Sequence, residues 1–315
     1  MKNRIAIVLA YFGELPNYND LFLKSCLNQP FDLIFFTDQN LKEKNNIKVV
    51  KLSFDDFKSI IQEKFNFSIS LKMPYKFVDF QPAIGYIFND YLKSYDFWGH
   101  CDNDQIFGDF SHFITDEILD KYDKLYRCGH LTIYRNSESN NILFMNEVGM
   151  DYKKVFSKDY IFVFDEILGI QKKFEILGIP TYQANNYFDI GFKSYEMKRV
   201  YYGKNSKSIN HKHQVFYYEK GKIFRAYIND IGEIEVEEGL YLHFQKRKPI
   251  LKMSNKSLSF FILPECILKK NYEGLPSREE IIFFSKKHLL KEIISSFRYF
   301  GFIWKRRFNK YILER

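Results

Sequence analysis

The chain has little cysteine. Cys26, Cys101, Cys128 and Cys266 are the only four in 315 residues, and they stand far apart. No CxxC pair or Cys/His ligand spacing forms, which excludes zinc fingers. No apolar run approaches the ~20 residues that a membrane span needs. Met1-Lys2-Asn3-Arg4 is followed by an apolar stretch too short for a signal peptide, and no small-residue cleavage site follows. The expected location is therefore cytoplasmic, with reduced thiols. A glycine-rich phosphate loop is also missing, since only Gly13 stands near the first strand.

What is abundant is apolar and aromatic. Hydrophobic residues make up 46% and charged residues 27%, enough for a core and too apolar for a disordered chain. The 34 Phe and 23 Tyr accompany many Lys, Asn and Ile, the signature of AT-rich coding. The net charge of +8 is uneven. Residues 286–315 hold nine Lys/Arg against two Glu, leaving 38 basic and 37 acidic residues in 1–285. A nearly neutral body with a basic terminus argues against a nucleic-acid-binding domain and for a tail that meets something anionic.

Ile5-Ala6-Ile7-Val8-Leu9-Ala10 is a continuous apolar run, as in a buried parallel strand, and it ends in a Tyr11-Phe12-Gly13 loop. A helix is expected over 17–27, strands over 32–37 and 47–52, and a helix capped by Ser53 with Asp55 and Asp56 in its first turn. A long helix is expected over 75–92, a strand over 95–101, a helix over 113–122 and a strand over 124–134. A hairpin turning at Lys220-Gly221, a strand over 233–244 ending in His243, and a helix over 279–300 complete the pattern. The fold class is α/β: a single Rossmann-type mixed sheet with flanking helices and a C-terminal helical, basic extension. The expected domains are 1–250, catalytic, and 251–315, the extension.

Ligands in open α/β sheets bind outside the carboxyl ends of the strands. The Tyr11-Phe12-Gly13 loop, Thr37-Asp38 and Asp102-Asn103-Asp104 all fall there. In extended chain Asp102 and Asp104 point to one side, where two carboxylates repel unless a cation lies between them. Hard oxygen ligands suit Mg²⁺ or Mn²⁺. Asp-Asn-Asp is also ordinary turn chemistry. Lys76 and Asp79, three apart on a helix, make at least a surface ion pair. Asp165-Glu166 suits either a helix N-terminus or a general base. His243 closes a strand and precedes Lys246, Arg247 and Lys248, three cations that can meet phosphate oxygens.

The stretch from Asp96 through Trp98, Asp102, Asn103 and Asp104 to Asp109 resembles the Asp-X-Asp region of bacterial glycosyltransferases with the A-type nucleotide-sugar fold. More narrowly it resembles a group from capsular and surface-polysaccharide clusters. Residues 5–13, the Tyr75–Gly85 segment and Asp165-Glu166 match that group's pattern in the same order, so the resemblance spans about 1–250. It implies that Ala10, Tyr11, Phe12 and Asp38 hold the nucleoside, with Asp102 and Asn103 on the ribose or sugar side. It implies that Asp104 binds the divalent metal under the donor diphosphate, with Asp102 and His243 as further ligands and Lys246 on phosphate. Lys76 and Asp79 would meet the donor sugar. Asp165 or Glu166 would be the base of an inverting hexosyl transfer, or would orient the acceptor if configuration is retained.

The implied partners are a nucleotide-sugar donor, UDP first, and a glycan or undecaprenyl-diphosphate-linked acceptor, with no nucleic acid. The aromatic and basic stretch 297–308 reads as a peripheral helix on the anionic inner face of the cell membrane. Two other classes share some of these features. A sugar-phosphate nucleotidyltransferase also pairs carboxylates with a metal, but usually opens on a glycine-rich loop. A non-catalytic carbohydrate- or membrane-interaction protein would use Asp-Asn-Asp only as a turn.

Overall fold

Every residue from Ile5 to Leu9 is buried in β1 (Ile5–Tyr11) of the computed structural model, which describes residues 1–201, 209–254 and 257–313. Beside it run the parallel strands β2 (Phe31–Thr37), β3 (Ile47–Lys51) and β4 (Phe97–Cys101), in the order β3-β2-β1-β4. Leu131–Arg135 adds to β4 antiparallel, and Lys124–Cys128 and Thr181–Tyr182 complete seven strands. Side-chain alternation explains the continuous apolar runs. Ala6 and Val8 join Ile34, Phe36 and Trp98 in one core, while Ile5, Ile7 and Leu9 join Leu33, Phe35 and Phe97 in the other. A sheet covered on both faces by helices is the mixed α/β class expected.

Local signals place several elements well. Ser53 accepts from the Asp56 N–H while the Asp56 carboxylate takes the Ser53 N–H, a capping box that starts Phe54–Glu63. The hairpin of Gln214–Glu219 and Lys222–Ile228 turns at Lys220-Gly221, both at positive φ.

Other expectations are corrected. Residues 75–92 form no long helix. They make 3₁₀ turns at Pro74–Asp79 and Gln81–Ala83, then single α turns at Ile84–Ile87 and Asn89–Leu92. Pro82 removes a helix donor. Gly85 is pressed so closely under Trp98 that a Cβ would lie 2.4 Å from its Nε1. The helix expected over 113–122 breaks into Phe110–Phe113 and Asp116–Lys121. The strand expected over 124–134 is a hairpin turning at Gly129-His130. The strand expected over 233–244 splits at Leu240 into Ile234–Gly239 and Tyr241–His243, which enter different sheets.

Two sheets go beyond the single one expected. A six-stranded sheet joins the hairpin and Ile234–Gly239 to Ile250–Lys252, Ser259–Ile262 and Cys266–Lys269. Ile250–Lys252, Ser259–Ile262 and Cys266–Lys269 are therefore strands and not part of a helical extension. The terminal helices are Arg278–Phe284 and Leu289–Leu313. A four-stranded sheet orders Arg199–Val200, Phe188–Ile190, Tyr241–His243 and Gln105–Phe107. It is short, but it ties the chain just after Asp104 to His243 and Asp189.

Candidate metal and donor site

Asp102-Asn103-Asp104 leaves the carboxyl end of β4. Two backbone bonds fix the turn: the Asp102 N–H donates to His130 O at 3.2 Å, and the Phe244 N–H to Asp104 O at 2.7 Å. The second bond places His243 against the carboxylates. Its Nε2 lies 3.1 Å from Asp104 Oδ1 and 3.5 Å from Asp102 Oδ2. Asp102, Asp104 and His243 offer ligand atoms within 4.8 Å of one another. Three residues up to 141 positions apart in sequence thus form one cluster, with Asp102 the most open at 39% side-chain exposure.

The electrostatics suit a cation. Burial and the Asp104 charge push Asp102 up to about 6, against the opposing pull of His243 and Lys246. Burial disfavours the His243 cation, yet Asp104 and Asp189 outweigh it and raise that imidazole well above its usual range. Two carboxylates with one imidazole are compatible with a divalent metal ion. Asn103 Nδ2 and His130 Nε2 are buried without a hydrogen-bond partner among the described residues.

Tyr11 and Tyr18 border the cluster. Burial raises both phenols, and the Asp104 charge adds to each. Tyr11 Oη donates to Glu14 O at 3.1 Å. Asp38 is exposed and receives the Gly13 N–H on both oxygens, at 3.0 and 3.1 Å, which fixes the loop at a glycine with φ +94°. Phe12 is turned toward the core, 5.3 Å from Phe54 and 5.0 Å from Phe57 between ring centroids. Ala10 is half-buried. Lys246 lies over the Tyr75 ring and over Phe302 of the last helix, at 5.0 and 5.6 Å. Arg247 is committed elsewhere, to the carbonyls of Gly191, Ser194, Tyr195 and Glu196.

Lys76 and Asp79 need correction. They are no surface pair: their side chains are 2% and 0% exposed, 2.6 Å apart. Lys76 Nζ also donates to Val155 O and Tyr160 O, and Asp79 takes the N–H groups of Phe162 and Phe164 at 2.9 Å. These bonds hold the 155–164 segment, so the pair is buried and shapes that segment where a surface pair was expected. Between the two clamped amides Val163 sits at φ +60°, a conformation that a β-branched residue adopts only when its surroundings enforce it.

That clasp delivers Asp165 and Glu166. Asp165 is 4% exposed, its Oδ1 has no partner among the described residues, and burial with the Glu166 and Asp102 charges pushes it well above the usual carboxylate range. Gly129 makes room for it, since a Cβ there would lie 1.7 Å from Asp165 Oδ2. Glu166 is half-buried and acts electrostatically on Asp102.

Sequence reasoning missed Asp189, His130 and Tyr18. Asp189 Oδ1 receives His243 Nδ1 at 2.9 Å, and the His130 ring lies 4.8 Å from the His243 ring. An acid in the middle of Phe188-Asp189-Ile190 was the available signal.

The fold and cluster define a mixed α/β protein with a carboxylate–imidazole site at its strand ends. The chain belongs to DUF6625, a family of unknown function whose model matches residues 7–271. No curated protein matches it. Among solved structures it is similar to mouse xyloside xylosyltransferase 1 in its apo form, at 11% identity and a TM-score of 0.35, over 59% of this chain and 87% of that one. At that score the likeness assigns no activity.

Proposed function

We propose that the protein is a metal-dependent glycosyltransferase that moves a hexosyl group from a nucleotide-diphosphate donor, a UDP-sugar, to a hydroxyl of a glycan. The convergence of Asp102, Asp104 and His243 at the end of β4 carries this reading. A bound Mn²⁺ or Mg²⁺ supplies positive charge to the diphosphate as the glycosidic bond breaks. Asp104 and His243 are its principal ligands, with Asp102 shared between metal and donor. Asn103 and Lys246 reach the donor, and Tyr11 with the Asp38-fixed loop flanks the nucleoside. Lys76 and Asp79 act as positioning residues for the base segment.

Burial separates the two acids. Asp165 is enclosed and burial pushes its carboxyl well above the usual carboxylate range, so the more open Glu166 is the base that takes the acceptor proton in an inverting transfer. The body ends near 271 and the terminal helices form the extension. The bacterial surface-polysaccharide reading rests on the sequence resemblance, which also gives an undecaprenyl-diphosphate-linked acceptor. The Leu289–Leu313 helix supports a membrane partner: Leu289, Leu290, Phe297 and Trp304 are each at least 70% exposed, among cations. No described helix is long and apolar enough to cross a membrane; the contact we propose is peripheral, at the inner face. Residues 314–315 of the basic stretch lie outside the described residues.

The test is UDP-sugar hydrolysis across a donor panel with Mn²⁺, using Asp104→Ala as control. Hydrolysis of one donor, lost in the variant, supports the reading. No hydrolysis together with no UDP-dependent thermal stabilisation sinks it in favour of a non-catalytic protein.

A further inference from the structure

Asp189 lies between Phe188 and Ile190 and is 1% exposed. Burying a carboxylate is costly unless charge and hydrogen bonds compensate, and among the described residues this one forms its ion pair with His243. A single oxygen, Oδ1, receives both His243 Nδ1 at 2.9 Å and Gln245 Nε2 at 2.8 Å. Gln245 is itself anchored, its Oε1 accepting the Phe192 N–H at 3.3 Å. Register does the rest: His243 stands opposite Asp189 on parallel neighbouring strands, and opposite Gln105, the residue after Asp104, on the other side. The imidazole is held at one nitrogen while the other lies 3.1 Å from Asp104 Oδ1.

We propose that Asp189 is a positioning residue that keeps a proton on His243 Nδ1, leaving Nε2 to offer its lone pair to a cation between Asp102 and Asp104. The inference rests on the metal-site reading of that cluster. A carboxylate can only accept, so the bond to Asp189 requires the Nδ1–H form, and the ring plane is set by the same contact. With the opposite tautomer Nε2 would donate to Asp104, occupying a ligand oxygen and repelling the ion. Gln245 steadies the acceptor, so the geometry is in place before any ion arrives.

Two readouts test it. The first is the His243 tautomer in the metal-free wild-type protein, from long-range ¹H–¹⁵N NMR at a pH where the ring is neutral. Nδ1–H is expected, and Nε2–H overturns the proposal whatever the metal does. The second is Mn²⁺ affinity by calorimetry. Removing the acceptor in Asp189→Leu should weaken binding about 10–100-fold. Asp189→Asn keeps an oxygen for Nδ1 and should stay within a few-fold of wild type. A folded Asp189→Leu protein with unchanged tautomer and an affinity within twofold of wild type overturns the proposal. If Asp189→Leu does not fold, the wild-type tautomer and Asp189→Asn decide. Absence of Mn²⁺ binding by the wild type refutes the metal site instead, and the tautomer still reports on Asp189.

Discussion

Two acid–base groupings stand about 25 residues apart in sequence and differ in one respect. Lys76 and Asp79 are sealed, and hydrogen bonds engage Lys76 Nζ and both Asp79 oxygens. Asp102 and Asp104 are partly open, crowded with like charge, and matched to an imidazole 3.1 Å from the nearer oxygen. A satisfied buried pair holds chain in place. An open cluster with surplus negative charge can take a ligand. The sequence shows both as short-range spacings, and only burial and partners separate them.

The comparison breaks most sharply at Asp104. Asp104→Ala should lower transfer by on the order of a thousandfold, comparable to losing a principal electrostatic group, while the melting temperature of the metal-free protein holds or rises. Next is Glu166→Gln, expected to cost about 10²–10⁴ in rate by removing a general base, measured as transfer to acceptor at saturating donor. Asp165→Asn should cost far less, since burial disfavours the charged form of Asp165.

Asp79→Ala should behave in the opposite way to Asp104→Ala. It strands the Lys76 ammonium in the core, and one broken buried pair costs about 3–5 kcal/mol. Denaturant unfolding should show that loss, and any fall in transfer should follow from displacement of the Tyr160–Glu166 segment.

A pH titration gives a smaller effect. Asp102 rises from 3.8 to about 6 on folding, and His243 is also raised. At these two groups the folded state binds more protons than the unfolded one, so their contribution to metal-free stability falls as pH rises from about 4 through 6 and beyond the usual histidine range, opposed by the buried His100 and His130, whose imidazoles are lowered. Saturating Mn²⁺ should flatten that slope. The mildest effect is at the periphery: Trp304→Ser with Phe297→Ser should reduce binding to anionic vesicles and leave UDP-sugar hydrolysis in solution unchanged.

Several elements were legible because their signals are local. The β1 run, the Ser53 capping box and the Lys220-Gly221 turn each depend on a few adjacent residues. Residues 75–92 misled because helical spacing persists through Pro82 and Gly85, where packing under Trp98 decides. The strands at 250–269 have three or four residues each and exist through pairing with distant partners. Asp102, Asp104 and His243 could be named separately, but their meeting depends on a four-stranded sheet of two- and three-residue strands. Asp189 offered one signal, an acid between Phe188 and Ile190, but its role lies in facing His243 across that sheet.

Calorimetric titration of UDP into the protein with and without Mn²⁺, repeated on Asp104→Ala, tests the central claim most directly. Binding that requires Mn²⁺ and disappears in the variant is the predicted result. UDP binding that is indifferent to both Mn²⁺ and Asp104, or no UDP binding under any condition, would contradict it.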